Sequence, residues 1–381
     1  MTSWGAILPA NGLAWESDAL TIHAATALEP AWSDLALNAA EKNIFSFPWY
    51  IIPSLPLLAK LNPQVVTIYH GGLLIGLLVV RGDLGYAKLP VPFWRTALHY
   101  EQYLGTPLVR AGFEDRFAAG LCGWLDTARA DHCFIALTLM TGEGMIADAI
   151  AAHCAAEKRP RMALNRFQRA AIALDPHSQN APADPVGSGR RKSLRRAMQG
   201  LAAQGEVRIE RLALEADIAV WLEDFLNLEN TGWKRDNGSS ILACPMETAL
   251  YRQMVASAFK RGSLNFFRLC VAGKPIAYTL DIAAAPHVYC LKSAFDQAFK
   301  KHSPGVIMEY ETLKYYRQQT GFTQVDSCTA PDNGLLNELW PDRKSIVDMM
   351  ICRKGAGYEA LFAVIKRIKS RMINAGADHA R

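Results

Sequence analysis

The sequence lacks the features that would place it in a membrane, in a secretory pathway or in a metal-stabilised fold. Its longest apolar run, Leu73 to Val80, has eight residues, whereas a helix needs about 20 to cross a bilayer. The first residues carry no basic cluster of the kind that opens a secretory signal. The eight cysteines are scattered, and no pair has C-x-x-C spacing. We therefore expect a cytoplasmic protein with free thiols and no bound metal.

The sequence is also poor in net charge. Its 41 Lys and Arg residues exceed its 36 Asp and Glu residues by five. This excess is too small for a protein that coats DNA but favours smaller anions such as phosphates. Half of the residues are hydrophobic and a fifth are charged, which excludes a chain disordered throughout and a coiled coil. A length of 381 residues is sufficient for two domains, each with its own core.

The first half of the chain predicts helices around an antiparallel meander. A helical pattern covers residues 30–62, with a proline-rich break at 45–56. Short β-rich runs separated by glycines then predict strands, and further apolar periodicity predicts two more helices and one strand. The predicted strands are 65–70, 73–82, 84–91 and 134–140, and the predicted helices are 113–130 and 146–157.

The second half repeats this plan. A stretch rich in Pro, Gly, Ser and Asn at 175–189 predicts a linker, and a basic helix begins at Arg190. The hairpin around Ala272-Gly273 is similar to that around Gly71-Gly72, which indicates two similarly built α/β halves. The predicted helices are 215–230, 246–261 and 304–320, and the predicted strands are 264–273, 275–283, 287–295 and 323–328.

The segment Ser303-Pro304-Gly305 predicts a helix start that could hold an anion. Serine is a preferred N-cap and proline fits the first helical turn, while free N–H groups at a helix start favour phosphates. Three basic residues, Lys300, Lys301 and His302, stand just upstream. Plain capping is the alternative interpretation of this segment.

The order of these elements resembles the GNAT acyltransferases of the CelD-like or FemAB-like subgroup. The similarity covers about 160 residues, from Arg190 to Cys352. It rests on the basic helix at 190–196, on Glu229 with Gly232-Trp233-Lys234, on 292–296, on 303–305 and on 325–328 with 339–343. It implies an α/β (α+β) fold of two tandem GNAT-like halves, each a mostly antiparallel twisted sheet flanked by helices. The implied parts are a degenerate N-terminal domain at 1–174, the linker, an acyltransferase domain at 190–355 and a basic amphipathic C-terminal helix at 356–381.

The resemblance implies that acyl-CoA binds where strands four and five of the second half diverge. The pyrophosphate would lie on Lys300, Lys301, His302, Ser303, Pro304 and Gly305. The first half has no counterpart of this loop, so we expect no cofactor there. An amine would attack the thioester directly, which needs a base and stabilisation of the oxyanion. Asp326, at the end of the fifth strand, and Glu229, near a helix end, are the candidate bases. A turn-capping or merely solvated carboxylate is the alternative for each.

The remaining candidate site residues surround the same strands. Lys292 and Asp296 flank the fourth strand with a spacing that allows an ion pair on one face, which could also be an ordinary surface pair. Cys328 is a candidate nucleophile or proton donor, although a packed thiol fits the apolar context as well. Trp233, Lys234 and Arg343 are candidate substrate contacts.

Three functional classes remain open at this stage. The first is an acyl-CoA-dependent N-acyltransferase whose acceptor is a small or lipidic amine, such as a sphingoid-type base. The second is an aminoacyl-tRNA-dependent transferase of the Fem type, and the third is a non-catalytic GNAT-like protein of an envelope or exopolysaccharide system. The C-terminal helix, with apolar and basic residues at helical spacing, could contact the inner face of a membrane or dock on its own domain.

Overall fold

The computed structural model describes residues 12–86, 89–174 and 188–378. The chain forms two units, one of Met1–Gln168 with Ser345–Arg381 and the other of Arg169–Lys344. Among the described residues, no helix is both long and apolar enough to span a membrane, and no group of His, Cys, Asp and Glu side chains is arranged to hold a metal ion.

The first unit contains most of the elements that the sequence predicts for the first half. Its strands, in chain order, are β1 (Leu13–Ala19), β2 (Gln64–His70), β3 (Leu73–Tyr86), β4 (Leu89–Thr96), β5 (Leu108–Val109), β6 (Phe134–Thr141) and the start of β7 (Arg161–Ala173). Its helices are α1 (Ile22–Leu37), α2 (Pro48–Leu58), α3 (Glu114–Thr127) and α4 (Met145–Ala156).

The second unit repeats this order after the end of β7. Its strands are β8 (Val207–Arg211), β9 (Leu264–Val271), β10 (Lys274–Ala284), β11 (His287–Phe295), β12 (Gln324–Asp326) and the start of β13 (Asp342–Cys352). Its helices are α5 (Ser188–Ala202), α6 (Ile218–Glu229), α7 (Gly232–Asp236), α8 (Pro245–Lys260), α9 (Pro304–Gln318) and α10 (Gly334–Leu339). The chain then completes β13 and forms α11 (Ala356–Asp378) in the first unit.

Each unit has a mostly antiparallel sheet with one parallel pair. The first sheet has the order β1-β2-β3-β4-β6-β13, and the second has the order β8-β9-β10-β11-β12-β7. The parallel pairs are β4 with β6 and β11 with β12. Helices pack their apolar faces on these strands; Phe117 of α3, for example, is fully buried in the first core, and Met308 of α9 is fully buried in the second. The predicted fold of two similarly built α/β halves is therefore confirmed.

The two meanders also share their first hairpin. Gly71 and Gly72 have φ values of 56° and 80°, and Ala272 and Gly273 have 48° and 76°. Two successive residues with positive φ form a type I′ turn, whose twist matches that of the paired strands. The similarity of these two hairpins in sequence therefore reflects the same backbone geometry.

The domain boundaries differ from the predicted ones because each half ends in a strand that joins the other unit's sheet. β7 closes the first half of the chain, yet its end pairs with β12. β13 closes the second half and pairs with β6 from Ile346 onward. Residues 345–355, predicted in the acyltransferase domain, thus belong to the first unit. Most of the predicted linker, residues 175–187, lies outside the described residues.

Two local predictions are wrong. The proline-rich break at 45–56 contains α2, in which Pro48 occupies the first turn, where a missing N–H is tolerated, and Pro53 and Pro56 lie inside the helix. β3 continues to Tyr86 instead of ending at Gly82, because pairing with β4 supplies the hydrogen bonds of its second half.

The C-terminal helix docks on its own unit, where Phe362 and Ile365 are buried beside Phe134. Its side chains from residue 370 onward lie outside the described ones.

Candidate active site

The site begins where β11 and β12 separate. The two strands are paired in parallel over three residues, the last pair being Tyr289 with Asp326. β12 ends at Asp326, whereas β11 continues to Phe295. The strands therefore lose their shared hydrogen bonds at this point, as the resemblance implies. Polar groups of this region must find other partners or face a ligand.

Asp326 is held by two cations. Its side chain is fully buried, and Oδ2 accepts hydrogen bonds from Nη2 of Arg169 at 2.6 Å and from Nζ of Lys344 at 2.9 Å. Both cations are themselves more than nine-tenths buried. Its second oxygen, Oδ1, accepts the backbone N–H of Cys328 at 3.0 Å. The cluster of these three charged side chains carries one more positive than negative charge.

These contacts keep Asp326 ionised. Burial by itself raises the pKa of this carboxyl, but the charges of Arg169 and Lys344 and the hydrogen bonds it accepts outweigh burial and hold its pKa well below the usual range. A carboxylate with so low a pKa is a poor proton acceptor near neutral pH. The geometry favours a positioning role for Asp326, in which it orients the two cations.

Cys328 is a buried thiol rather than a reactive thiolate. It follows the end of β12 with a φ of 55°, and its backbone turns back to Asp326. Burial, together with the charge of Asp326, raises the pKa of the Cys328 thiol well above its ordinary value. Because nucleophilic thiols need a lowered pKa, these surroundings do not support the nucleophile role.

A second ionisable cluster lies on β10, β11 and α9. Asp281 is fully buried in β10, and its Oδ2 accepts the Tyr316 hydroxyl at 2.6 Å. A β-bulge shifts the pairing here, so that Leu280 faces Lys292 while Asp281 faces Cys290. The Cys290 thiol lies beside the Asp281 carboxyl, and Glu309 of α9 is close enough to interact with the same carboxyl.

Both carboxyl groups of this cluster hold their protons unusually firmly. Burial raises the pKa of Asp281 to about 7, against the hydrogen bond from Tyr316 and the nearby Cys290 thiol, which both favour its ionised form. Burial and then the charge of Asp281 raise the pKa of Glu309 to about 8. Two neighbouring carboxyls that titrate near neutral pH are suited to accepting and returning a proton.

The predicted anion loop lies at the start of α9. Lys300 and Lys301 are exposed and His302 is half-buried, and all three belong to a 3-10 helix at Gln297–His302. His302 contacts Gln204 through Nε2 at 3.0 Å. Pro304 occupies the first turn of α9 as predicted, but Ser303 makes no capping hydrogen bond with its side chain. Its φ of 48° instead turns the backbone sharply at this point, and Gly305 lies against Phe295.

The predicted pairing of Lys292 with Asp296 is replaced by another. Lys292 lies in β11 opposite Leu280. Asp296 follows the strand and caps the 3-10 helix by accepting the N–H of Ala298. Its Oδ2 lies 3.0 Å from Nζ of Lys274, because β10 brings Lys274 to the end of β11. The contacts of Asp296 are those of an exposed structural cap.

Glu229 and Lys234, both predicted site residues, bind each other. Glu229 ends α6 with its side chain buried; Oε1 accepts Nζ of Lys234 at 2.8 Å, and Oε2 accepts the N–H of Ile241 at 2.9 Å. With both oxygens engaged, Glu229 joins α6 to α7 and to the following turn. Trp233 lies in α7, and its side chain is outside the described ones.

Arg343 supports the backbone near the site. Its Nη1 donates to the carbonyl oxygens of Trp340 and Asp342, and its Nη2 donates to that of Asn337. These bonds satisfy carbonyls at the end of α10, where a helix leaves them unpaired. The guanidinium thus orders the loop after β12.

Sequence reasoning missed the two cations of Asp326 and the second ionisable cluster. Arg169 lies in β7, which was not predicted, and Lys344 was not distinguished from its neighbours. Asp281 interrupts the apolar run of β10, TLDIA, and a carboxylate in a buried strand is rare unless it has a partner. The sequence therefore contained a sign that Asp281 has a special role, namely a carboxylate within an apolar strand. Glu309 and Tyr316 are seven residues apart, on the same face of α9.

Comparison with known proteins identifies the second unit. Residues 188–333 match the model of the acetyltransferase (GNAT) domain. This stretch contains α9 and the strands from β8 to β12. The second unit therefore contains a GNAT acyltransferase-type domain, as the resemblance implies. A search of curated proteins found no matching relative.

Solved structures share the fold over nearly the whole chain. The C-terminal domain of a candidate lysylphosphatidylglycerol synthetase from Agrobacterium fabrum is 11% identical with a TM-score of 0.52, over 90% of this chain and 97% of that one. FemX is 10% identical with a TM-score of 0.52, over 92% and 99%. A protein of unknown function from Bacteroides thetaiotaomicron is 12% identical with a TM-score of 0.53, over 89% and 99%. At these identities the likeness concerns the fold alone.

Proposed function

We propose that this protein is an N-acyltransferase that moves an acyl group from an acyl-CoA thioester to an amine by direct attack. One observation carries the proposal: the GNAT domain combines separating strands, β11 and β12, with buried ionisable groups at their separation and a basic loop at the start of α9. The donor, the acceptor and the reaction belong to this proposal, which is supported by the match of residues 188–333 to the GNAT domain.

The start of α9 suits the phosphates of coenzyme A. Lys300 and Lys301 are exposed, so their ammonium groups can reach a ligand, and the first N–H groups of a 15-residue helix lie beside them. Such N–H groups favour anions because they have no partner within the helix. The backbone at Ser303 and Gly305 and the side chains of the two lysines would hold the pyrophosphate, with His302 next to them.

The separation of β11 and β12 suits the thioester. Attack by an amine places negative charge on the thioester oxygen, which needs preorganised donors. Arg169 and Lys344 supply an excess of positive charge there, and Asp326 fixes their orientation. Cys328, a buried thiol, is proposed to pack against this group without forming a covalent intermediate.

The proposed acceptor is an amine, either small or lipidic. A direct attack needs a nitrogen nucleophile that can lose its proton within the site, and the buried carboxyls of the second unit can take one. A sphingoid-type base represents the lipidic class, and Lys234, Trp233 and Arg343 remain proposed contacts for the acceptor side.

The test begins with ligand binding. Thermal unfolding is followed with CoA, acetyl-CoA, long-chain acyl-CoA and acyl carrier protein. A ligand that binds only the native state stabilises it by an amount that grows with the logarithm of the ratio of ligand concentration to Kd. We expect stabilisation by CoA esters, and loss of this effect when Lys300 and Lys301 are changed together to Glu. The control is Lys60→Glu with Lys260→Glu, which alters the net charge equally at exposed positions of other elements.

Product formation completes the test. Purified protein, a stabilising thioester and a panel of amines should release free CoA thiol and form an amide detected by mass spectrometry. Activity only with aminoacylated tRNA, abolished by ribonuclease, would instead support the aminoacyl transferase. A protein that no thioester stabilises and that has no activity with any donor would contradict the proposal and favour a non-catalytic role.

A further inference from the structure

We propose that Asp281, Glu309 and Tyr316 form a proton-transfer station that takes a proton from an acceptor amine entering as an ammonium ion and returns one to the leaving thiolate. This inference rests on the proposed acyl transfer and deepens it, since it assigns the base and selects cationic amines over neutral hydroxyl acceptors.

The station has an acceptor atom without a hydrogen-bond partner. Oδ2 of Asp281 is satisfied by the Tyr316 hydroxyl, but Oδ1 has no hydrogen bond of normal geometry from any described residue, although the atom is buried. The Cys290 thiol, a weak donor, is the polar group beside this carboxyl. A buried acceptor that lacks a strong donor is costly, and an ammonium N–H would supply one.

The station adjoins the place where β11 and β12 separate. Cys290 is the first residue of β11 after the pair of Tyr289 with Asp326, and it is half-buried. Glu309 is also half-buried, whereas Asp281 and Tyr316 are buried. The proposal places the entering ammonium ion on the side of these two half-buried members, from which a proton passes to Glu309 and Asp281.

Few of the titratable groups around Asp281 can exchange a proton near neutral pH. From β11 it faces Cys290, and from α9 it faces Glu309 and Tyr316. Cys328, in the loop after β12, also interacts with it, and its neighbour on β9 is Asn265, which does not titrate. Burial raises the pKa values of Cys290, Tyr316 and Cys328 well above their ordinary values. Only the two carboxyls exchange protons near neutral pH.

The proton balance of the reaction matches such a pair. The ammonium ion first gives one proton to the ionised carboxyl, and the neutral nitrogen then forms a bond to the thioester carbon. When the C–S bond breaks, the thiolate takes a proton from the station. The nitrogen loses its second proton as the amide forms, so the products are the amide, the free thiol and one proton released to water.

The other carboxylates of the second unit are less suited to this task. Asp326 is kept ionised by Arg169 and Lys344, and both oxygens of Glu229 are engaged. Asp296 is an exposed cap. Compared with these three, Asp281 and Glu309 lie next to the strand separation and have raised pKa values.

The test uses the full chain and variants that remove one titrating group at a time: Asp281→Asn, Glu309→Gln and Tyr316→Phe. Glu311→Gln is the matched control, because Glu311 lies on the same helix, is half-buried like Glu309 and forms an ion pair with Lys314. Infrared difference spectra between about pH 5 and pH 9 record the carbonyl band of protonated carboxyl groups. This measurement needs no substrate. We expect a band that persists at neutral pH in the parent protein and decreases in Asp281→Asn and Glu309→Gln but not in Glu311→Gln.

Kinetics provide the second readout. Asp281→Asn should lower kcat by about 10²- to 10⁴-fold, the range of a general base, while thioester binding is unchanged, and the apparent pKa near neutrality should disappear from the pH profile. If Asp281→Asn does not fold, Glu309→Gln at its half-buried position carries the test. Ionised carboxyls at neutral pH, or a pH profile identical in all variants, would overturn the station even if acyl transfer is confirmed. A protein without transferase activity that retains the band would overturn the proposed function and, with it, the catalytic use of the pair.

Discussion

The two units share the order of their strands and the parallel pair, and they differ at the end of that pair. In the first unit the last parallel pair joins Arg95 to Ala136, and β6 continues through apolar, fully buried residues on both sides of Ala136. In the second unit the last parallel pair joins Tyr289 to Asp326, and β12 ends there. Both parallel pairs therefore end within their sheets, at the apolar Ala136 in the first unit and at the charged Asp326 in the second.

The helices that follow differ as well. α3 begins with Glu114 and Asp115 in its first turn, and Glu114 already accepts the N–H of Gly112. α9 begins after Lys300 and Lys301. Negative side chains at a helix start compete with an anionic ligand and positive ones attract it, so the start of α9 is the more favourable of the two for a phosphate. The two units thus have different side chains at two equivalent positions of one fold, and the second unit has those of the proposed site.

The largest expected effect comes from giving β12 the residue found in β6. Asp326→Ala leaves Arg169 and Lys344 buried without their carboxylate, which should cost about 3–5 kcal/mol of unfolding free energy. Urea unfolding measures this loss. Asp236→Asn, in an exposed pair with Arg235, should cost less than about 0.5 kcal/mol.

A triple variant sharpens this result. Asp326→Ala combined with Arg169→Met and Lys344→Met removes the whole charged cluster, and apolar replacement of a buried cluster is often neutral. We expect it to regain much of the lost stability. A triple variant as unstable as Asp326→Ala would show that the instability of Asp326→Ala does not come from the unpaired charges of Arg169 and Lys344.

The two units should respond in opposite ways to pH between about 5 and 6.5. In the first unit, burial lowers the pKa of His99 to about 4, against the charge of Glu101, and burial also lowers that of His153. These groups bind fewer protons folded than unfolded, so the first unit gains stability as pH rises toward 6.5. Asp281 and Glu309, with raised pKa values, bind more protons folded, so the second unit loses stability as pH rises through 8.

Each such group changes stability by at most about 1.4 kcal/mol per pH unit. Hydrogen exchange of β3 and β10, corrected for the intrinsic effect of pH on exchange, separates the units. His99→Gln should flatten the slope of the first unit and Asp281→Asn that of the second. Parallel slopes in both units of the parent protein would contradict these proton assignments.

A smaller effect is expected at the helix starts. Changing Lys300 and Lys301 to Glu gives α9 the acidic character of α3, and it should weaken CoA binding about tenfold, with the larger loss at low salt. Calorimetric titration measures the affinity. Glu114→Lys with Asp115→Lys, the reverse change in α3, should leave CoA affinity unaltered; a gain or loss there would place the ligand in the first unit.

The smallest effect concerns the shared hairpin. Ala272 has a φ of 48° in the turn where the first unit has Gly71, and a left-handed conformation costs an L-residue about 1 kcal/mol. Ala272→Gly should therefore raise stability by about 0.5 kcal/mol after the entropy cost of glycine. Gly71→Ala should lower it by about 1 kcal/mol. Thermal unfolding of both variants measures these changes. Stability changes of the same sign in the two variants would contradict the description of the turns.

The order of elements was predictable because it depends on local periodicity. The meanders, the start of α9 at Pro304 and the paired hairpins follow from patterns within a few residues. The exchange of β7 and β13 was not predictable, because strand pairing across the chain leaves no local pattern. For the same reason Arg169 and Lys344, which lie 157 and 18 residues from Asp326 in sequence, could not be recognised as its partners.

Residue type alone also does not reveal the partners of the candidate carboxylates. Glu229 and Asp326 both stand at element ends, but their partners differ. Glu229 binds Lys234 and the N–H of Ile241, whereas Asp326 binds two buried cations. Asp281, inside an apolar strand, was the more informative carboxylate. Its depth and its contact with Tyr316 depend on tertiary packing.

The central claim is that the acyl donor binds in the second unit and not at the equivalent position of the first. Hydrogen exchange with and without acetyl-CoA tests it directly, because it reports on both positions in one experiment. We predict protection at the start of α9 and along β11 after Tyr289, with none at the start of α3 or along β4. Protection in the first unit, or none in either, would contradict the claim.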